Sequence, residues 1–428
     1  MSHFKIIEKC RVCGSHDLTE VIQIEEQFLS PTFVKTNKNN KLSKLMVSQT
    51  LVLCDKEKNA NGCGLLQLKE TVNPDLLYKN YFYRSAINDT MRRALREVVV
   101  DSTRRAALES GDYIIDIGAN DCTMIQYFSD SFNRIAVEPA ENIDWAGVDK
   151  TIRIVNDYFS KSALEAALGP NKVKLITACA MFYDLDDPNS FVSDIGDMLH
   201  PEGLFCVQLS YLPGMLTNVN FYDICNEHLE YYSLHTLKEL FSRHNLRIVH
   251  ASENEVNGGS IRIFVAHEQS SFSPTPEYNK LFLIEETDFS LDSVKTYQDF
   301  QIKIDFLRDK VKEAMLKEIN SGNLVIGLGA STKGNMLLQL FGINKNMMPY
   351  ISERNPEKVG LKTLGTDIPL ISEEEARSLN PSCMLVMPWY FKDEIVKREQ
   401  KYIDGGGKLL FPMPYPHLVT KDGEIILK

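Results

Sequence analysis

The sequence predicts an α/β protein of three parts: a small cysteine-rich N-terminal module, a central doubly wound domain and a smaller C-terminal α/β domain. Four of the nine cysteines lie within the first 63 residues. A short apolar strand runs into a glycine turn near residue 118, and a second strand and glycine turn begin near residue 323. Strands that alternate with helices after such turns are typical of parallel sheets covered by helices. The predicted parts are residues 1–75, 76–268 and 269–428.

Composition and charge exclude several classes of protein. The chain has 428 residues, 43% of them hydrophobic and 25% charged, as in ordinary globular domains. Its 47 basic and 58 acidic residues give a net charge of −11, so no nucleic acid partner is expected. The opening residues lack the apolar core of a signal peptide, and no apolar stretch reaches the roughly 18 residues of a membrane helix. We therefore expect a cytoplasmic protein without a membrane partner. Its oligomeric state is not predicted.

The clustered cysteines form a candidate metal site. Cys10 and Cys13 belong to a C-x-x-C-G knuckle, and Cys54 and Cys63 follow a strand-like stretch. Four thiolates on two turns can close a tetrahedral zinc site, which then has no open position for catalysis. The second pair is wide, with eight residues between its members, so a disulfide or unrelated thiols are the alternative. We expect a structural zinc.

The first glycine turn, Gly118-Ala119-Asn120-Asp121, predicts a nucleoside site followed by a helix. Glu138 ends the next strand about twenty residues later, where an acidic side chain can accept hydrogen bonds from ribose hydroxyls. Cys122 replaces the third glycine of the pyrophosphate-binding pattern, and acidic residues flank the turn. A cationic nucleoside therefore fits this turn better than a diphosphate.

S-adenosylmethionine is such a nucleoside, because its sulfonium and ammonium groups tolerate nearby carboxylates. This interpretation predicts a methyltransferase cofactor site. The alternative is an ordinary turn in another kind of doubly wound domain. The predicted cofactor-binding residues are Asp116, Gly118, Asn120, Glu138, Asp157 and Tyr158.

A polar and aromatic segment at residues 218–232 interrupts the central domain at the carboxyl end of a predicted strand. Open α/β sheets place their chemistry on this edge. Glu227-His228 is its strongest candidate, because histidine has an unperturbed pKa of about 6.5 and can act as a base near neutral pH. A structural histidine is the alternative. Arg84, beside Tyr81 and Tyr83 and just before a helix predicted to start near Asn88-Asp89, can hold an anionic group.

The second glycine turn lies at residues 327–335, after a predicted helical connector over residues 276–319. It contains hydroxyls, a lysine and an amide in place of the acidic residues of the first turn. Such groups suit a phosphate at the start of a helix. The predicted substrate-binding residues are Arg84, Ser331, Thr332, Lys333 and Asn335.

Four sets of motifs resemble the bacterial sugar C-methyltransferases. They are CRVCG with CGLLQL; DIGANDCTM with VEP; ICNEHLEYYS with NGGSIRIF; and GLGASTKGN with ISERNPEKVG, PWYFKDEI and GGKLLFPMP. Each set is short, but their order spans nearly the whole chain. Members of that family join a zinc-binding N-terminal module, a Rossmann-like class I methyltransferase domain that binds S-adenosylmethionine, and a C-terminal Rossmann-like domain. The resemblance implies this fold class for the chain.

The resemblance also implies a reaction. Family members methylate a carbon, usually C3, beside the ketone of a nucleotide-linked 4-keto-6-deoxy sugar, which is the expected substrate. The sugar nucleotide is implied to lie between the central and C-terminal domains, with residues 331–335 near its nucleotide half. The family's active-site stretch reads tyrosine-histidine-glutamate-histidine, and a further family histidine corresponds to Tyr183. The stretch corresponds here to Cys225, Asn226, Glu227 and His228.

His228 is the implied general base, and Glu227 is expected to orient its ring. An enolate formed beside the ketone needs hydrogen-bond donors, for which the candidates are Tyr81, Tyr83, Tyr222 and Asn226. Two alternatives stay open: O-methylation of a sugar hydroxyl, which also needs a base, and a non-catalytic protein that binds nucleotide sugars. The intact residues of the first glycine turn favour an enzyme.

Overall fold

The N-terminal module is an antiparallel sheet followed by a short helix. The computed structural model describes residues 3–29, 33–35, 45–87 and 89–428. Strands β2, β4 and β5 pair side by side, and β1 pairs with β6. Its elements are β1 (Phe4–Ile6), β2 (Leu18–Phe28), β3 (Phe33–Lys35), β4 (Met46–Cys54), β5 (Leu66–Leu68), β6 (Glu70–Val72) and α1 (Pro74–Tyr78).

The central domain alternates strands and helices as the sequence predicts. Its first helix begins at Asp89, and the predicted cap Asn88 lies outside the described residues. The elements are α2 (Asp89–Arg105), β7 (Tyr113–Ile117), β8 (Asn133–Val137), β9 (Arg153–Val155), α3 (Lys161–Leu168), β10 (Val173–Cys179), α4 (Pro188–Met198), β11 (Leu199–Ser210), α5 (Leu212–Thr217), β12 (Glu230–Tyr231), α6 (Leu234–Ser242), β13 (Leu246–Asn254) and β14 (Ser260–His267).

The central sheet has the strand order β13-β14-β11-β10-β7-β8-β9. Strands β11, β10, β7, β8 and β9 are parallel, so their carboxyl ends share one edge. Strands β13 and β14 add an antiparallel hairpin, and Gly258 and Gly259 in its turn have φ angles of 91° and 127°. A side chain at Gly258 would collide with the ring of Trp389, which explains the glycine.

The prediction of a helix after the first glycine turn is wrong. Residues 121–124 form turns and bends, and only a short 3₁₀ turn, Ile125–Tyr127, follows. Asn120 and Cys122 both have positive φ angles, 50° and 60°, which a right-handed helix does not allow. The chain leaves this turn as an irregular loop before it enters β8.

The C-terminal domain has a second sheet, with the order β18-β16-β15-β19-β20-β21-β22, in which the first five strands are parallel and β21 and β22 are added antiparallel. The connector is helical, as predicted, but is divided into two helices. The elements are α7 (Pro276–Asp288), α8 (Val294–Asn320), β15 (Val325–Leu328), α9 (Thr332–Leu340), β16 (Ile351–Glu353), β17 (Leu361–Thr363), β18 (Leu370–Ser372), α10 (Glu373–Ser378), β19 (Cys383–Val386), α11 (Lys392–Arg398), α12 (Gln400–Asp404), β20 (Lys408–Phe411), β21 (His417–Thr420) and β22 (Gly423–Ile426). Within the described part of the chain, no helix is both long and apolar enough to cross a bilayer.

The three parts are joined by shared strands. Strand β12, from the segment at residues 218–232, pairs with β5 and so extends the N-terminal sheet. Strand β17 of the C-terminal domain pairs with β3 of the N-terminal module. The N-terminal module therefore contacts both Rossmann-like domains through backbone hydrogen bonds.

Glu285 on α7 fixes both ends of the segment at residues 212–233. Its buried carboxylate accepts hydrogen bonds from the Tyr211 hydroxyl at 2.7 Å and from the Leu234 and His235 amides at 2.7 and 2.9 Å. Burial alone would raise the pKa of Glu285, but these bonds and one from the His235 ring hold that pKa below its usual value. One carboxylate thus holds the two ends of this segment together.

Candidate active site

A cavity of about 560 Å³ lies where the three parts meet. Its wall includes the carboxyl edge of the central sheet, the segment at residues 218–232 and the second glycine turn. Thirteen of the residues predicted from the sequence line it. They are Tyr81, Tyr83, Arg84, Gly118, Asn120, Glu138, Tyr158, Asn226, Glu227, His228, Ser331, Thr332 and Lys333.

The first glycine turn forms one wall of the cavity. Gly118 has a φ angle of 69°, and a Cβ atom there would lie 3.0 Å from Cγ of Met181. Glu138 accepts hydrogen bonds from the Asn120 amide at 2.8 Å and the Ala140 amide at 2.9 Å. Each carboxylate oxygen keeps a further lone pair for a ligand hydroxyl. The close backbone and the carboxylate at the strand end fit the methionine and ribose parts of S-adenosylmethionine.

Two predicted cofactor residues lie outside the cavity wall. Asp116 is buried beneath the turn, where it accepts a hydrogen bond from Oγ1 of Thr177 at 2.9 Å, and burial raises its pKa to about 7. Asp157 is exposed, and its carboxylate accepts a hydrogen bond from the Tyr158 amide at 2.7 Å. Asp116 can therefore shape the turn from below, whereas Asp157 faces solvent.

Arg84 stabilises the backbone around it, a role that the sequence did not indicate. Its guanidinium donates to the carbonyls of Tyr81, Tyr83 and Asn142 at 2.5 to 2.9 Å. The same stretch contacts the first glycine turn, because Asn120 donates to the Tyr83 carbonyl at 3.0 Å. Arg84 thus orders the aromatic segment across the cofactor side of the cavity, and its predicted contact with an anion stays a prediction.

Glu227 and His228 lie deep in the cavity wall. Burial raises the pKa of Glu227 to about 8, against the opposing effects of Lys333 and Tyr81. Burial, followed by the charge of Lys333, holds the pKa of His228 well below 6.5, so its imidazole is neutral at pH 7. The His228 ring packs on the ring of Tyr183, with centroids 4.1 Å apart. The hydroxyl of Tyr78 donates to the Glu227 carbonyl at 3.2 Å.

Lys333 links the second glycine turn to the segment at residues 218–232. Its ammonium forms a short contact with the carboxylate of Asp223, which is almost fully buried. Asp223 also accepts a hydrogen bond from Asn220 at 3.1 Å. Burial opposes the charge on Lys333, but Asp223 keeps the pKa of the lysine above its usual value. Lys333 is therefore charged, and the carboxylate of Asp223 offsets part of that charge.

The second glycine turn repeats the hydrogen-bond pattern of the first. Ser331 caps α9 by accepting a hydrogen bond from the Gly334 amide at 2.9 Å. Glu353 ends β16 and accepts hydrogen bonds from the Ala330 amide at 2.8 Å and the Asn355 amide at 2.7 Å. Glu138 accepts the same two kinds of hydrogen bond, one from an amide of its glycine turn and one from the amide of the residue two positions after Glu138 itself. Each Rossmann-like domain therefore presents an acidic side chain at its turn.

Two further predicted residues lie away from the cavity wall. Tyr222, a candidate enolate donor, is fully buried, and its ring packs against Phe221. Asn335 is also buried, within α9. Neither side chain lines the cavity, because the irregular segment and the helix turn these residues into the core. The prediction of Tyr222 as a donor to the substrate is therefore corrected.

Sequence reasoning missed three acidic residues near the cavity. Asp184 ends the short 3₁₀ turn that follows β10, Asp223 pairs with Lys333, and Glu353 ends a short strand. Only Glu353 has a local signal, since it ends the second strand of a Rossmann-like unit as Glu138 does. The other two depend on contacts between residues far apart in the chain.

The four N-terminal cysteines meet at one point. Their sulfur atoms all lie within 4.8 Å of one another, with Cys10–Cys63 at 3.5 Å and Cys13–Cys54 at 3.4 Å. Zinc with four thiolates at about 2.3 Å needs sulfur atoms about 3.8 Å apart, which this cluster nearly reaches. Zinc therefore fits the donor set, as the sequence predicts.

Comparisons with known proteins match this arrangement. Residues 10–78 match a family model described as "Putative zinc binding domain", residues 91–251 match "Methyltransferase domain", and residues 255–414 match "C-methyltransferase C-terminal domain". The chain is an S-adenosylmethionine-dependent methyltransferase. The order of the three models confirms the predicted resemblance to the C-methyltransferases and the predicted fold class. This methyltransferase takes S-adenosylmethionine as its methyl donor, and the cysteine cluster is its structural zinc site.

One relative and two solved structures illustrate the similarity. C-methyltransferase NovU of Streptomyces niveus is 26% identical over 98% of this chain and 98% of its own length. An S-adenosylmethionine-dependent methyltransferase of Clostridium acetobutylicum aligns with 41% of this chain and 92% of its own, with 14% identity and a TM-score of 0.34. The glycopeptide N-methyltransferase MtfA aligns with 44% of this chain and 96% of its own, with 10% identity and a TM-score of 0.32.

We predict that removing zinc from this methyltransferase lowers its activity although no cysteine of the cluster lines the cavity. Arg11 lies between Cys10 and Cys13, donates to the Leu68 carbonyl at 2.7 Å and lies 3.6 Å from Glu230, beside the segment at residues 218–232. Metal loss unfolds such knuckles and would release this contact. Elemental analysis before and after chelation, with methyl-transfer assays on both samples, checks the prediction.

Cys383→Ser is the matched control, because this cysteine is buried in the C-terminal sheet away from the cluster. It should retain one zinc per chain, whereas Cys13→Ser should lose it. Freshly purified wild-type protein without stoichiometric metal would contradict the zinc assignment.

Proposed function

We propose that this methyltransferase transfers a methyl group to a carbon beside the ketone of a nucleotide-linked 4-keto-6-deoxy sugar, with C3 as the methylated position. The observation that carries the proposal is that one cavity joins the cofactor turn, the pair Glu227-His228 and the second glycine turn. A place for the methyl donor, a base and a place for a nucleotide thus lie in one cavity. The resemblance of the sequence to the sugar C-methyltransferases supports the choice of substrate.

The chemistry requires a carbon acid to be ionised. His228 is assigned as the general base that takes the proton, since its imidazole is neutral and faces the cavity. The electron pair of the C–H bond then becomes an enolate, which needs hydrogen-bond donors at its oxygen. When bound, S-adenosylmethionine supplies the methyl group, whose bond to sulfur breaks as the new carbon–carbon bond forms.

Donors for the enolate remain on the cavity wall after the correction of Tyr222. Tyr81, Tyr83 and Asn226 line it, whereas Tyr78, which also lines it, donates its hydroxyl proton to the Glu227 carbonyl. Burial raises the pKa values of Tyr78 and Tyr81 well above 10, so both hydroxyls keep their protons at neutral pH. The cavity can therefore present neutral donors to a developing negative charge.

The nucleotide half is assigned to the second glycine turn. Ser331 and Thr332 begin α9, whose first amides and positive dipole end favour a phosphate. Lys333 adds a positive charge, and Glu353 is available for a ribose hydroxyl as Glu138 is at the first turn. NovU, which is named a C-methyltransferase, has the same extent as this chain, and that similarity supports a shared arrangement.

We predict that Glu138→Gln weakens binding of S-adenosylhomocysteine about tenfold. The amide keeps one acceptor oxygen, but it loses the charge that strengthens hydrogen bonds from ribose hydroxyls by about 1–1.5 kcal/mol. Glu353→Gln is the matched control, because it makes the same change at the equivalent position of the other turn. Calorimetry with both variants checks the assignment, and equal affinities for the two variants would contradict it.

We predict that wild-type enzyme exchanges hydrogen for deuterium at the carbon beside the ketone. The measurement is NMR of a 4-keto nucleotide sugar incubated in D₂O with enzyme and S-adenosylhomocysteine. His228→Ala should slow this exchange by about 10²-fold or more, because no other neutral base replaces the imidazole. The rate of exchange should stay constant on acidification until well below pH 6.5, because the lowered pKa of His228 keeps its imidazole neutral there.

His244→Ala is the control for histidine loss, because that ring contacts Asn189 outside the cavity wall. It should exchange at the wild-type rate. If the wild-type enzyme exchanges no deuterium at this carbon and its product shows a methoxy signal, C-methylation is contradicted, and the reaction is O-methylation of a hydroxyl.

A further inference from the structure

Asp184 is an acidic residue of the cavity wall that the proposed reaction has not yet used. It ends the 3₁₀ turn Phe182–Asp184 after β10, on the edge of the sheet where β7 delivers the cofactor turn. The Leu229 amide donates to the Tyr183 carbonyl at 2.7 Å, which ties this turn to the stretch that holds Glu227 and His228. Asp184 and the proposed base therefore belong to one rigid part of the cavity.

Asp184 and Glu227 share an unusual property. Oδ1 of Asp184 and Oε1 of Glu227 are both buried, and neither has a hydrogen-bond partner among the described residues. Both side chains line the same cavity, and Glu227 is only 4% exposed. A buried carboxyl oxygen without a partner is costly, and both of these oxygens belong to side chains that line one cavity, which points to a ligand that hydrogen-bonds there.

The surroundings of Asp184 decide its protonation. Burial, followed by the nearby carboxylates of Glu227 and Glu230, raises the pKa of Asp184 well above its usual value, against the smaller effects of Tyr78 and Lys333. Two buried carboxyl groups close together cannot both ionise easily. Lys333 does not reverse this, because its charge is matched by Asp223. The titratable groups that interact with Asp184 include Tyr78, Tyr81, Tyr183, Cys225, Glu227, Glu230, Tyr231 and Lys333.

We propose that Asp184 is a catalytic residue that donates the hydrogen bond of its protonated carboxyl group to the enolate oxygen of the acceptor. The inference rests on the proposed function, since only a reaction through an enolate needs this donor. No proton is transferred to the oxygen: His228 takes the proton from carbon, and Asp184 keeps its own while it stabilises the negative charge. A neutral acid in an apolar site is a strong donor for this task.

Asp184 suits this role better than Glu227. The charge of Lys333 and the hydroxyl of Tyr81 both lower the pKa of Glu227, whereas Glu227 and Glu230 raise that of Asp184. As the pH rises, Glu227 therefore ionises first, and its charge then keeps the proton on Asp184. The acid that persists in the cavity is Asp184.

The test compares deuterium exchange beside the ketone in Asp184→Ala, Asp184→Asn and wild-type enzyme as a function of pH. Asp184→Ala should slow exchange about 10²- to 10³-fold, the usual effect of losing one donor to an oxyanion. Asp184→Asn should remain within about tenfold of wild type, because the amide still donates. These pH profiles are measured with Glu227→Gln in every enzyme compared, so that Glu227 does not titrate. The rate should then fall at alkaline pH as the Asp184 carboxyl group ionises, and with Asp184→Asn this fall should vanish, because an amide does not titrate.

Two controls separate this role from a structural one. Asp197→Asn, at an exposed carboxylate that contacts Lys161, should exchange like wild type at every pH. Affinity for S-adenosylhomocysteine should be unchanged in both Asp184 variants, which shows that they fold. Equal losses in the Ala and Asn variants, or an alkaline fall that persists in Asp184→Asn, would overturn the role of Asp184. Absence of exchange in wild type would overturn the proposed function, and with it this inference.

Discussion

The fold and the site both depend on how the segment at residues 218–232 is held. This stretch is buried but has little regular structure, so its polar groups need partners from elsewhere. Each part of the protein supplies at least one partner. Strand β5 pairs with β12, Glu285 accepts from the Leu234 amide, Lys333 contacts Asp223, and the Tyr183 carbonyl accepts from the Leu229 amide. The position of Glu227 and His228 is therefore a property of the assembled chain and of no single domain.

This arrangement explains why a structural metal far from the chemistry belongs to the same enzyme. The zinc knuckle orders Arg11, Arg11 lies beside Glu230, and Glu230 is in the strand that follows the proposed base. The N-terminal module thus acts as a platform on which the segment is built. The C-terminal domain contributes in the same way, because it supplies the proposed nucleotide turn and the lysine that pairs with Asp223.

Burial sets the charge state of the cavity. Lys333 and Asp223 largely offset each other's charge, and burial holds the groups around the proposed base in their neutral forms: a neutral imidazole at His228 and protonated carboxyl groups at Glu227 and Asp184. Neutral groups at this point suit the formation of an enolate, because the new negative charge meets hydrogen-bond donors. The same groups would be far less useful if solvent reached them.

The sequence predicted features whose signals follow a regular local spacing in the chain, and it missed features that depend on contacts between residues far apart in the chain. The C-x-x-C-G knuckle and the strands at both glycine turns have signals within a few residues, Glu138 has one in its spacing of about twenty residues from the first turn, and the structure contains all of them. The helix after the first turn failed because positive φ angles at Asn120 and Cys122 are set by tertiary contacts. Tyr222 failed because an irregular segment has no period from which to read its buried face, and Asp184 gave no signal because its partners lie more than forty residues away.

The central claim is that the methyl group is delivered to carbon in a cavity shared by the two Rossmann-like domains. Its most direct test is product analysis after incubation of a 4-keto nucleotide sugar with S-adenosylmethionine that carries a ¹³C-labelled methyl group. The account predicts a methyl signal coupled to a ring carbon beside the ketone. A labelled methoxy signal without carbon–carbon coupling would contradict it.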